Sequence, residues 1–188
     1  MSKSAVLVVD VQNDFCPGGS LAVKDGDKII PYLNMIIAKA RLADQDVIFT
    51  RDWHPRKTKH FAEFGGVWPV HCVQNTLGSD FHRVLDVRLE EDTFIYKGMD
   101  PEKDAFSGFD GGVSDHRPLN DILKARKIQH LTIGGLATDY CVKATVLDAL
   151  KLGYRVTVPK LCIAAVNLNP LDCQTAILEM SKAGAMIL

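Results

Sequence analysis

His130-Leu131-Thr132-Ile133-Gly134-Gly135-Leu136-Ala137-Thr138-Asp139-Tyr140-Cys141 runs from a buried-looking strand, His130 to Ile133, through small residues into a helix that carries a thiol in its first turn. A strand feeding directly into a helix is the repeating unit of a parallel sheet. The start of a helix also offers unpaired N–H groups and the positive end of the macrodipole, which lower a thiol pKa and can hold an oxyanion. Cys141 is therefore expected to be a nucleophile with a depressed pKa, in competition with a buried structural cysteine.

Outward from this stretch, the same pattern repeats. Ala5 to Val9 is a continuous apolar run rich in valine, the mark of a strand covered on both faces, and Val47 to Thr50, Thr93 to Tyr96, Leu131 to Ile133 and Arg155 to Val158 read similarly. Helices are predicted over Lys28 to Ala43, Leu119 to Arg126, Thr138 to Leu152 and Pro170 to Ala183. In the first, Ile29, Leu33, Ile36, Ile37 and Ala40 share a face; in the third, Val142, Val146, Ala149 and Leu150 do, with Gly153 as the stop. The alternation predicts an α/β fold: three layers, an open mostly parallel sheet with helices on both faces. The 188 residues suit one domain spanning 1–188.

Composition narrows the function classes. Lys plus Arg number 22 against 23 Asp plus Glu, a formal charge of −1, so no global field draws nucleic acid or an anionic membrane surface. The expected partner is a small molecule, with no nucleic acid and no membrane. Apolar helix faces leave a homo-oligomer open. Five cysteines, an odd number without CxxC spacing, argue against a disulfide framework and for a reducing compartment, with the cytosol as the expected location. Met1-Ser2-Lys3-Ser4 leads into an apolar run too short for a signal-peptide core or a membrane span.

Two irregular stretches, about 51–83 and 98–118, exceed the 12–15 residues beyond which loops are more often functional than idle. In an open parallel sheet, ligands bind outside the carboxyl ends of the strands. Asp10 ends the first predicted strand, Arg51 and Asp52 follow the second, Lys97 follows the third and Cys141 comes after the fourth, so all are expected at one edge. Asp10, Lys97 and Cys141 supply an acid, a cation and a thiol. Asp10 can take the thiol proton and later return it to a departing nitrogen, while Lys97 stabilises the thiolate.

A second cluster is Asp52-Trp53-His54-Pro55, then His60-Phe61, then Trp68-Pro69-Val70-His71-Cys72. A carboxylate with imidazoles suits a divalent ion such as zinc, iron or manganese. Asp52 and His54 are two apart, so in an extended segment both point the same way, whereas His60 and His71 must arrive through the loop. Cys72 is expected to pack inward. Phe15, Trp68, Phe106 and Phe109 lie near both clusters; flat faces suit a planar ring, although Phe106 and Phe109 read equally as core filling. Neither GxGxxG nor a GK[ST] ending is present, which removes a Gly-rich phosphate cradle.

Six segments in this order resemble the nicotinamidases of the isochorismatase-like cysteine hydrolases: Asp10 to Phe15, Thr50 to Pro55, Trp68 to Cys72, Lys97-Gly98, Gly135 to Val142 and Ala165 to Asn167. The resemblance spans nearly the whole chain. It implies hydrolysis of nicotinamide to nicotinate and ammonia, in pyridine-nucleotide salvage, through a thioester on Cys141 with Asp10 and Lys97 completing a triad. It also implies an oxyanion hole from the N–H groups of Ala137 and Cys141 beside a cis Leu136-Ala137 peptide, and a pyridine sandwiched by Phe15 and Trp68. One divalent metal ion, zinc first and iron or manganese next, is implied at Asp52, His54 and His71. Many relatives carry a further histidine four residues after the position of His54, where this chain has Thr58. Others carry it six after, which His60 matches as a fourth ligand. A sibling hydrolase acting on another amide, a carbamoyl compound or a vinyl ether is the alternative enzyme; siblings generally lack the Asp-x-His set. A catalytically silent binding member is the non-enzymatic alternative.

Overall fold

A computed structural model of the chain describes residues 3–188; the expectation about the N-terminus rests partly on Met1 and Ser2, which lie outside them. Seven strands among these residues form one sheet: β1 Lys3–Val9, β2 Asp46–Asp52, β3 Thr93–Lys97, β4 Ile128–Leu136, β5 Arg155–Val158, β6 Ile163–Ala164 and β7 Met186–Ile187. The order is β3-β2-β1-β4-β5-β7, with β6 continuing beside the end of β4, and every strand pairing is parallel.

β1 shows why its sequence is apolar without a break. Ala5, Leu7 and Val9 face one buried cluster and Val6 and Val8 the other, because successive side chains leave opposite faces of a strand. Helix α1, Ile30–Leu42, covers the second face with Ile30, Leu33, Ile37 and Ala40. On the first face pack α2, Leu119–Ala125, α3, Lys143–Lys151, and α4, Asp172–Lys182, through Leu123, Val146, Ala149 and Met180. Each fully buried Leu or Ile contributes about 1.5–3 kcal/mol relative to exposure. No helix among the described residues is long and apolar enough to cross a membrane.

The structure departs from the expectations at element edges. β4 extends three residues beyond the predicted Ile133 to Leu136, and the predicted third helix opens as a wide π-helical turn, Thr138–Val142, before α3 begins. Two-residue β6 and β7 were not expected, since segments this short carry no readable period. Gly135 has a functional cause: its φ is +133°, and a Cβ there would stand 2.0 Å from the Val9 carbonyl oxygen, so only glycine lets β4 lie this close to β1.

The order places the switch point between β1 and β4. The chain builds β2 and β3 to one side of β1, then crosses to build β4 and β5 on the other, which opens a crevice at the carboxyl ends of β1 and β4.

Candidate active site and metal centre

Asp10, Asp52 and Lys97 meet at that crevice. Asp10 follows β1 in the left-handed region, φ 48°, a conformation Asp tolerates better than most residues. Thr50 of β2 fixes it, accepting the Asp10 N–H at 3.2 Å and donating its hydroxyl to Oδ1 at 2.6 Å. Lys97 ends β3, and its Nζ lies 2.9 Å from Asp10 Oδ2, 3.0 Å from Asp52 Oδ1 and 3.6 Å from Cys141 Sγ, with the Ala105 carbonyl 3.1 Å away. Gln12 clamps the adjoining strand end, accepting the Asp52 N–H and donating to the Asp52 and Ser79 carbonyls.

Such burial would cost several kcal/mol per ion if the charges were unpaired. Burial alone pushes the Lys97 ammonium toward neutrality, but the Asp10 and Asp52 carboxylates outweigh it and hold its pKa well above the ordinary value. Burial also acts to raise Asp52; the interactions that oppose it, the Lys97 charge first, win there and keep it well below the usual carboxylate range. At Asp10 burial wins over Lys97, with the Asp52 charge adding to it, and the pKa is raised.

Cys141 corrects an expectation. Its thiol is pushed well above the ordinary value, chiefly by burial, with the Asp10 and Asp52 charges acting in the same direction against Lys97. The turn at the helix entrance does not produce a resting thiolate, because withdrawal from water costs the anion more than one neighbouring ammonium returns. Lys97 Nζ touches both groups, 2.9 Å from Asp10 Oδ2 and 3.6 Å from the sulfur, so the thiol and the carboxylate share one cation.

Arg51 also departs from the expected convergence. It alternates in β2 with Thr50 and Asp52, so its side chain leaves the crevice and pairs with Asp80 at 2.6 Å, above the Trp53 ring.

The three loop histidines come together. His54, His60 and His71 each offer a ligand atom within 4.8 Å of the others, and all are buried. Asp52 Oδ2 stands 3.0 Å from His54 Nε2 and 3.4 Å from His71 Nε2. His54 Nδ1 donates to the Gly98 carbonyl at 3.0 Å and His71 Nδ1 to the Pro69 carbonyl at 2.7 Å. A carbonyl only accepts, so a neutral ring at either position carries its proton on Nδ1 and turns a bare Nε2 toward Asp52. Lone pairs facing a carboxylate oxygen need a cation among them, and the donor set of one carboxylate with imidazoles fits a divalent ion. Burial pushes the His60 pKa down against the pull of Asp104, which favours the neutral ligand form. Thr58 is no ligand; its hydroxyl donates to the Pro101 carbonyl at 3.2 Å. Cys72 is buried as expected, and its N–H donates to Asp14.

A cleft joins the two clusters, reaching Asp52, His60, His71, Lys97 and Cys141. Phe15 and Trp68 line it, Phe15 tilted against His71 with centroids 5.5 Å apart and Trp68 edge-on to Tyr140 at 5.0 Å. Ala137 lines it too, after a cis Leu136-Ala137 peptide. Phe106 joins the wall, whereas Phe109 stacks on Tyr154 and serves the core. Sequence reasoning missed Tyr140, Thr50, Gln12 and Ala105. Tyr140 had a signal in its adjacency to Cys141; the contacts of Ala105 had none.

A model of the isochorismatase domain matches residues 4–188. The chain belongs to the isochorismatase family. Within that family, the nicotinamidase of Escherichia coli (strain K12) is 41% identical, covering 100% of this chain and 95% of its own length. The crystal structure of a pyrazinamidase of Pyrococcus horikoshii in complex with zinc superposes with a TM-score of 0.90 at 42% identity, covering 99% of this chain and 98% of that one. A yeast nicotinamidase bound to the inhibitor nicotinaldehyde gives 0.89 at 28% identity, covering 98% and 99%. The mostly parallel α/β sheet predicted from the alternation of strands and helices is thus observed, and so is the isochorismatase-like fold that the resemblance implied.

Proposed function

We propose that this chain is a metal-dependent cysteine amidase that hydrolyses nicotinamide to nicotinate and ammonia, serving pyridine-nucleotide salvage. One observation carries the reading: the buried Asp10, Lys97 and Cys141 group and the Asp52, His54, His60 and His71 group meet at a single cleft walled by aromatic rings. The nicotinamidase relatives and the nicotinaldehyde-bound yeast enzyme support the substrate class.

Asp10 removes the Cys141 proton as the sulfur attacks the carboxamide carbon. The N–H groups of Ala137 and Cys141 receive the oxyanion. Collapse breaks the C–N bond, Asp10 returns the proton to nitrogen, and ammonia leaves behind a thioester. Asp10 then takes a proton from water as the water oxygen attacks the thioester carbon; the C–S bond breaks, Asp10 returns that proton to sulfur, and the acid gives up its remaining proton to solvent and departs as nicotinate. Lys97 stays charged throughout, compensating the negative charge that passes between Asp10 and sulfur. Phe15 and Trp68 hold the faces of the ring.

Asp52, His54, His60 and His71 would hold one divalent ion, with zinc first in view of the zinc-bound pyrazinamidase and iron or manganese also suiting the ligands. When bound, the ion supplies a Lewis-acid anchor for the pyridine nitrogen, directly or through its water. We read the whole chain as one catalytic domain, supported by a single sheet that includes strands from both ends of the described residues. Five free thiols support a reducing, cytosolic setting.

The test is ammonia release from nicotinamide by the purified, zinc-loaded protein. Turnover that disappears in Cys141→Ala is expected; turnover retained by that variant, or none in the parent, rejects the reading.

A further inference from the structure

Each histidine of the cluster has its Nδ1 tied to an acceptor, but the three acceptors differ in kind. His54 and His71 use backbone carbonyls, of Gly98 and Pro69, whereas His60 uses the Asp104 carboxylate, 2.7 Å away and 44 residues along the chain. We propose that Asp104 is the positioning residue of the metal centre: it orients the His60 ring with Nε2 toward the ion and so sets the affinity for the metal.

The inference rests on the metal-site reading above and adds to it a residue outside the ligand set. The His60 side chain is 6% exposed and that of Asp104 67%, so the carboxylate sits at the rim and reaches inward to a buried ring. The two long loops are stitched together beside this pair. Lys59 N–H donates to the Pro101 carbonyl at 2.9 Å, the Thr58 hydroxyl donates to the same oxygen, and Lys59 pairs with Glu102. These contacts fix the backbones, but none of them touches the imidazole. An ionised carboxylate can only accept, so Nδ1 carries the hydrogen and Nε2 keeps its lone pair.

The residues that follow extend the consequence. The Ala105 carbonyl accepts from Lys97 at 3.1 Å, and the Phe106 ring stands 5.8 Å from His60 and 6.2 Å from Tyr140. Three consecutive residues thus touch the metal cluster, the buried lysine and the cleft wall. Filling the metal site would steady the Asp104 segment and, through it, the wall against which a ligand packs.

Zinc affinity, measured by competition with a chromophoric chelator at neutral pH, tests the proposal together with the visible spectrum of the cobalt-substituted protein. Asp104→Ala should bind zinc roughly 10- to 100-fold more weakly, the usual effect of removing a partner of a ligating histidine. His60→Ala should lose as much, and the double variant no more than His60→Ala. The cobalt spectrum of Asp104→Ala should shift toward that of His60→Ala. Asp104→Asn, whose amide oxygen accepts the same hydrogen, should recover most of the loss, and Glu102→Gln should match the parent. Parent-like affinity in Asp104→Ala, additive losses in the double variant, no recovery by asparagine, or an equal loss in Glu102→Gln would overturn the proposal. Nicotinamide turnover is no part of the readout, so the substrate assignment can fail while this inference stands, and the reverse; a parent that binds no divalent ion rejects the metal reading itself.

Discussion

The Lys97 ammonium stands 3.6 Å from the Cys141 sulfur, in a place where the lysine is 1% exposed and the cysteine 8%. The same Nζ pairs with Asp10 and Asp52, so one buried cation balances two carboxylates and faces the sulfur. Removing it leaves both acids uncompensated. Lys97→Met should abolish turnover and, by stranding buried charge, cost about 3–5 kcal/mol of stability. Denaturant melts against the parent check this; an unchanged midpoint would mean that the carboxylates have another partner.

Asp10 must be ionised to accept the thiol proton, and its pKa is raised, first by burial and then by Asp52, against Lys97. The active form exists above that raised value and disappears as pH falls through it. The acid limb of kcat/KM should therefore lie above the ordinary 3.8 of a carboxylate. Asp10→Asn should be inactive at every pH. An acid limb at the ordinary value would remove Asp10 from the base role.

The resting Cys141 thiol is protonated, because burial and two carboxylates outweigh Lys97. Metal-free protein should thus be alkylated by iodoacetamide at Cys141 more slowly near neutrality than a free cysteine, and faster in Asp10→Asn, which removes one of the charges that disfavour the thiolate. Peptide mapping of the labelled protein gives the site and rate. Rapid labelling well below pH 8 would restore the low-pKa thiolate first expected from the helix entrance.

Gly98 stands at φ +71°, and a Cβ there would lie 2.6 Å from His54 Cε1 and 2.9 Å from its Nδ1. Alanine must displace the ring or the loop. Gly98→Ala should weaken zinc binding at least tenfold while leaving the sheet intact. Chelator competition and far-UV circular dichroism together distinguish this from general unfolding.

Metal loading should stabilise the native chain. An ion present at a hundredfold excess over its Kd adds about 2.7 kcal/mol, which for a chain of this size moves Tm by roughly 5–11 °C. Calorimetry with and without a chelator measures the difference. Identical melting curves would show that no ion is bound in the folded state.

Much of this site was legible in the chain because it depends on short-range periodicity. Ala5 to Val9, Val47 to Thr50 and Leu131 to Ile133 read as strands covered on both faces, and parallel strands bring their carboxyl ends to one edge whatever the loops do. That placed Asp10, Asp52, Lys97 and Cys141 together. The two-residue step from Asp52 to His54 put both side chains on one side for the same reason.

Other features exist only in the folded chain. Asp104 meets His60 across 44 residues because two loops dock, and no local pattern encodes the docking of irregular segments. The charge state of Cys141 is a sum over everything packed around it, so the helix entrance that favours a thiolate in isolation is overruled by burial that only the assembled site imposes. Backbone period fixes which edge a residue reaches; desolvation and loop closure, both long-range, decide what it does there.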